Sequence, residues 1–169
     1  MIKSGNYYVY LNNKNTAYHG GDNYYQSDDN SFISCTGTVS YKGLTNTDCL
    51  KKILSDFNGD ITSLKKALTG NYLIFIEKND KCYSFCDNHG IYKGYYFADQ
   101  TRFIISNSLA QLSLMCPKLE IDEFGVIEWC FQFGILGKKT LYKNIYKLLG
   151  DEYVELFNNN ILIKTDINN

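Results

Sequence analysis

The stretch from Asn71 to Lys78, "NYLIFIEK", constrains this chain more than any other. Its apolar residues are nearly continuous rather than alternating, the pattern of a strand buried on both faces. Asn79-Asp80 follows as a hairpin turn and "KCYSFCD" as the returning strand. A strand covered on both sides needs one layer above it and another below it. "IYKGYYF" and "RFIISN" flank Ala98-Asp99-Gln100 as a second hairpin, so four consecutive strands are expected as a meander. Upstream, Tyr7 to Leu11 reads as strand, Asn12 to Asn15 as turn, Thr16 to His19 as a return strand and Gly20 to Asn30 as loop. Ser31 to Tyr41, "SFISCTGTVSY", reads as strand interrupted at Gly37.

Helical spacing accounts for the rest. Thr47 is placed to cap a helix through "DCLKKILSDF", with Leu50, Ile53, Leu54 and Phe57 on one face. Asp60 or Thr62 caps a short second helix whose Ile61, Leu64, Ala67 and Leu68 share a side. Ser106 to Met115 is helical in pattern and Pro117 ends it. Asp122 caps a helix through "EFGVIEWCFQF", and Glu152 to Phe157 and Ile161 to Lys164 close the chain as two strands around a turn. Segregated runs of strands and helices argue for α+β layers, sheets covered by helices, in one domain spanning 1–169.

Composition narrows the function classes. A formal net charge of −1 with scattered lysines gives no electrostatic case for nucleic acid or an acidic membrane. The densest basic stretch, Lys138 to Lys147, is interleaved with apolar residues and reads as a solvated face. No apolar run reaches the ~18 residues of a membrane span, and the N-terminal "MIKSGNYYVY" lacks the apolar core of a signal peptide. The six cysteines contain no C-x-x-C pair. Cys82 and Cys86 would lie roughly 13 Å apart along a strand, too far for a disulfide. Reduced thiols, a cytoplasmic location, no metal and no cofactor are the expectation.

Four segments, in order, resemble the N-terminal glutamine amidotransferase domain of the asparagine synthetase and β-lactam synthetase family. "TNTDCLKKIL" is similar to its Gly-Ser-Asp-Cys-Glu helix start. "LTGNYLIFIEKNDKCYSFCDNHGIYKGYYF" is similar to its "L-x-G-x-F-A-F…R-D-x-x-G-x-x-P-L-Y-Y". "TRFIISNSLAQL" resembles "L-x-F-A-S-E-x-K-A-L", and "FGILGKKTLYKNIYKLLGDEYVEL" resembles "FG…x-T-x-F-x-x-I-x-x-L-x-P-G". The likeness runs from Thr45 to about Leu156. It implies a four-layer αββα sandwich of the Ntn-hydrolase type. It also implies that Asp87-Asn88-His89-Gly90 is a hairpin turn with Gly90 at positive φ, which makes Asp87, His89 and Gly90 structural rather than catalytic.

The family chemistry needs parts that this sequence lacks where they are expected. The nucleophile is an N-terminal cysteine that uses its own α-amine as base, and position 2 here is Ile2. An arginine holds the substrate carboxylate by two parallel hydrogen bonds, yet the sole arginine, Arg102, sits far along the chain from that loop. The oxyanion-hole Asn-Gly aligns with Thr36-Gly37. Asp48 aligns with the aspartate that binds the substrate amine; it is equally a first-turn acid that favours a helix N-terminus. Thr36, Gly37 and Asp48 therefore define a degenerate pocket with no catalytic residue. No Ser-Gly-Gly-x-Asp-Ser loop occurs, and "FGILGKKT" is not a P-loop, since its first glycine would fall on Gln132.

The expected function is a nucleophile-less amidotransferase-like subunit. Its partner is an asparagine-synthetase-like ATP-pyrophosphatase ligase, separate or fused. Two other readings stand beside it. One is an independent binding module for a small molecule or peptide, which the tyrosine-rich first 25 residues permit. The other is an Ntn enzyme with a different nucleophile, freed by backbone cleavage within "SCTGTV".

Overall fold

The doubly buried run is the spine of the molecule. In a computed structural model describing residues 2–4, 7–10, 23–99, 102–157 and 160–166, it lies within β5, Leu68–Lys78. Tyr72 to Ile76 are all at or below 1% exposure. Asn79 and Asp80, with φ of 54° and 58°, make the two-residue turn into β6, Lys81–Cys86. Paired positive φ angles match the right-handed twist of the strands they join, and Asn and Asp tolerate that region better than most residues.

The order is β1 (Ile2–Ser4), β2 (Tyr7–Tyr10), β3 (Tyr24–Gln26), β4 (Phe32–Tyr41), α1 (Asn46–Asp56), α2 (Ile61–Ala67), β5 and β6. Then come β7 (Gly94–Ala98), β8 (Phe103–Ser106), α3 (Leu109–Met115), α4 (Glu123–Gln132), β9 (Ile145–Leu148), β10 (Glu152–Phe157) and β11 (Asn160–Thr165). A six-stranded sheet runs β11-β10-β6-β5-β4-β3 with antiparallel pairings. A five-stranded sheet runs β1-β2-β8-β7-β9, antiparallel except where β2 lies parallel to β8. The fold is α+β with two sheets.

Three apolar clusters show what covers each sheet. Ile33, Cys35, Tyr72, Ile74, Ile76 and Phe85 of the six-stranded sheet pack with Cys49, Leu50, Ile53 and Leu54 of α1 and with Ile61 and Leu64 of α2. The alternate residues, Leu73, Phe75, Cys82 and Val154, join Tyr96, Phe103, Ile105 and Leu148 of the five-stranded sheet in a second cluster. Phe97, Ile104 and Ile145, on the opposite face of that sheet, pack with Leu112 of α3. Full burial of each such side chain is worth about 1.5–3 kcal/mol.

Several sequence expectations are corrected. The four central strands are not one meander: β5 and β6 belong to one sheet, β7 and β8 to the other, and the chain changes sheets between Cys86 and Gly94. Tyr24–Gln26, inside the expected loop, is a strand paired with β4, because the carboxylate of Asp29 closes the intervening turn by accepting from the Ser31 amide at 2.9 Å. Ser31 to Tyr41 is not broken at Gly37; β4 pairs with β5 through that position. Thr45, not Thr47, precedes α1. Asp60 caps α2, accepting from the Ser63 amide at 3.0 Å. Ala67 is exposed and Lys65 is buried instead. The Lys65 amine donates to the Gly150 carbonyl at 2.5 Å and lies 3.5 Å from Asp166, whose carboxylate also accepts from Thr62. The tail holds three strands, β9 being the one not foreseen. The turn and return strand expected over 12–19 lie outside the described residues. Among the described residues, no helix is long and apolar enough to cross a membrane.

Candidate functional site

The site is built where β4 passes from buried to exposed. Thr36 is 1% exposed, whereas Gly37 and Thr38 face solvent. The Thr36 hydroxyl lies 2.7 Å from the Tyr92 hydroxyl, and the Asn107 side-chain amide donates to both oxygens at 3.3 Å. Tyr92 comes from the segment that crosses between the sheets, and Asn107 from the residue after β8. A Cβ placed on Gly37, whose φ is +95°, would sit 3.0 Å from the Tyr92 ring and inside contact distance of the Asn71 carbonyl oxygen. Gly37 is thus the point at which the backbones of β4 and β5 and the Tyr92 ring all approach closely.

Asp87 holds Tyr92 in place. Its side chain is buried at 2% exposure. One carboxylate oxygen accepts from the amides of His89 at 3.2 Å and Ile91 at 3.1 Å, the other from the amide of Tyr92 at 2.8 Å. The Asp87 amide donates to the Tyr72 carbonyl at 3.0 Å and its carbonyl accepts from Gly90 at 2.9 Å. A buried carboxylate is tolerated when its lone pairs are met in this way. Asp87, His89 and Gly90 form a turn, with Gly90 at φ +59°, but it is a sheet-to-sheet crossing rather than a hairpin. His89 is exposed and its backbone serves the turn.

Asp48 occupies the first turn of α1, its side chain 77% exposed and 3.7 Å from the Lys51 amine. Those are the surroundings of a solvated helix acid. Arg102 lies at the β7–β8 turn with its Nε 3.5 Å from Asp99. The structure therefore brings together Thr36 and Gly37 of the expected pocket, and adds Tyr92 and Asn107. These last two stand 56 and 71 residues from Thr36. No local periodicity links positions so distant; the only signal was the run of aromatics that contains Tyr92.

Chemically, the cluster is two hydroxyls and a carboxamide that are hydrogen-bonded to one another. The nearby thiols are not poised to attack. Burial pushes the Cys35 thiol far above its ordinary range, Cys49 to about 11 and Cys86 to about 12. The thiolate is the reactive form. At pH 8 a thiol of pKa 11 is about one part in a thousand ionised. Cys35, Cys49, Cys82 and Cys86, all buried, are expected to resist alkylation at pH 8 in the native protein and to label fully in denaturant. Peptide mapping by mass spectrometry checks this, and rapid native labelling of Cys35 or Cys49 would contradict it.

Fold and site together define an α+β protein of two sheets with a hydrogen-bonded Thr-Tyr-Asn cluster midway along the β4–β5 pairing. No protein-family model and no curated protein matches the chain. Among solved structures, it is similar to the glutamine phosphoribosylpyrophosphate amidotransferase from B. subtilis at 8% sequence identity, with a TM-score of 0.48. The match covers 86% of this chain and 31% of that one, so the chain spans about a third of that protein's length.

Proposed function

We propose that this chain is a four-layer αββα domain of the Ntn-hydrolase type that does not hydrolyse glutamine. It serves in the cytoplasm as the amidotransferase-like partner of an asparagine-synthetase-like ATP-dependent ligase. The three apolar clusters support the layering, with helices outside each sheet and a shared core between the sheets. The four ordered sequence segments support the kinship.

The observation that carries the non-catalytic reading is the state of Thr36. An oxyanion hole works by aiming unspent donors at the place where charge will develop. Thr36 stands where the family's oxyanion Asn is expected, and it is buried and hydrogen-bonded to Tyr92 and Asn107. The clamp is affected too: a lysine does not reproduce the planar fork of a guanidinium, and Arg102 sits beside Asp99 at a strand turn.

Two measurements test the two halves separately. The purified chain, incubated with glutamine, is expected to release no ammonia above the buffer blank; glutamine-dependent release would overturn the loss of catalysis. Gentle, low-salt affinity capture from native cells is expected to recover, in stoichiometric amount, a ligase carrying a Ser-Gly-Gly-x-Asp-Ser loop. Its absence would overturn the partnership and leave the domain as an independent binder.

A further inference from the structure

The loop that joins α1 to α2 holds the sole Asn-Gly pair of the sequence, Asn58-Gly59. Both residues are exposed. Glycine has no Cβ to shield its own amide nitrogen, and it rotates about φ more freely than any other residue. Gly59 stands at φ +99°; among the described residues, a Cβ there would meet only the Tyr83 hydroxyl, at 3.5 Å. The Gly59 amide donates no hydrogen bond to any described residue. Other asparagines differ at this point. The amide after Asn30 donates to Asp29 at 2.9 Å, the amide after Asn88 to Asp87 at 3.2 Å, and the amide after Asn107 to Ser106 at 3.0 Å.

The Asn58 side chain folds back along its own backbone, because its Oδ1 accepts from the Asp60 amide at 3.1 Å. That oxygen takes up negative charge when the Gly59 nitrogen attacks Asn58 Cγ, so the Asp60 amide already stands where the charge develops. Nucleophile and electrophile belong to adjacent residues, and no second molecule has to be brought in for the attack. In the reaction, the Gly59 nitrogen gives up its proton and forms a bond to Cγ. The bond from Cγ to Nδ2 breaks, and Nδ2 leaves as ammonia with a proton in return. Water then opens the cyclic succinimide at either carbonyl, leaving aspartate or isoaspartate at the position. One water is consumed, one ammonia is released, and nothing is oxidised or reduced. Either product adds a carboxylate two residues before Asp60, the cap of α2, and next to Phe57, whose carbonyl accepts from the Lys78 amine at 2.8 Å.

We propose that Asn58 is a modification site of the folded protein, converted spontaneously through a succinimide to aspartate and isoaspartate. The proposal does not depend on the amidotransferase-like reading. The whole chain, kept folded in buffer and sampled over time, is read by peptide mapping with mass spectrometry. The peptide holding Asn58 is expected to gain the mass of one amide-to-acid conversion and to split into two chromatographic isomers. Peptides holding Asn30, Asn88 and Asn107 are expected to stay unmodified over the same interval. Conversion should run about tenfold faster at pH 8 than at pH 7, because the attacking nitrogen must first lose its proton. Asn58→Gln is expected to abolish it, since the longer side chain closes the ring far less readily. An Asn58 that stays intact while a synthetic peptide of the same segment converts overturns the proposal. So does conversion to aspartate without isoaspartate, which is direct hydrolysis, and so does conversion at Asn30, Asn88 or Asn107 as fast as at Asn58.

Discussion

Replacing Gly37 with alanine is expected to destabilise the protein by about 3–5 kcal/mol, lowering its melting temperature by about 10 °C or more. Two independent costs add. The backbone at φ +95° is one that a side chain rarely adopts, and the new Cβ meets the Asn71 carbonyl oxygen and the Tyr92 ring. The first contact is with backbone inside the continuous β4–β5 pairing, where Gly37 opposes Tyr72, so it cannot be relieved by rotating a side chain. The neighbouring Gly70, at φ +125°, is under the same constraint from the Thr38 carbonyl. Gly43→Ala separates the terms. Gly43 has φ +78° with nothing within 4 Å of its Cβ position, so that variant carries the conformational cost alone, about 1 kcal/mol. Urea unfolding of the three proteins measures both. If Gly37→Ala proved no worse than Gly43→Ala, the close approach of β4 and β5 at Gly37 would be refuted.

Asp87→Ala is expected to cost about 3 kcal/mol, because three backbone amides lose their acceptor in a buried turn. Asp87→Asn keeps an acceptor for the His89 and Ile91 amides but turns a donor toward the Tyr92 amide, so a loss of about half that size is expected. The damage should be local before it is global. Amide hydrogen exchange at 89, 91 and 92 is expected to accelerate in Asp87→Ala well below the unfolding transition. Tyr92 also loses its anchor, so the bond from its hydroxyl to Thr36 should loosen in step. Unchanged exchange at those three amides would show that the crossing is held by its packing against Gly150 rather than by the carboxylate.

Much of the fold was legible because it is written in short-range pattern. The β5–β6 hairpin could be read from an unbroken apolar run and two turn residues, and α1 from Leu50, Ile53, Leu54 and Phe57, all buried as their spacing requires. Asp60 announced the cap of α2. Other features were hidden. The β3 strand is three residues long and takes its definition from pairing with β4. Lys65 is charged by sequence and buried in fact, because Gly150 and Asp166, more than eighty residues away, receive its amine.

The candidate site divides along the same line. The family resemblance pointed to Thr36 and Gly37 and to Asp87 as a turn residue, because the segments that carry it are continuous stretches of sequence. It did not reveal that Asp87 directs the chain from one sheet to the other, nor that this crossing carries Tyr92 to Thr36 where Asn107 meets them. Strand and helix patterns record which face of an element is apolar, an effect of neighbours within a few residues. Which sheet receives a strand, and which hydroxyl completes a buried cluster, depends on contacts between residues 56 and 71 positions apart. Those contacts exist only once the layers have packed, so the tertiary structure alone decided them.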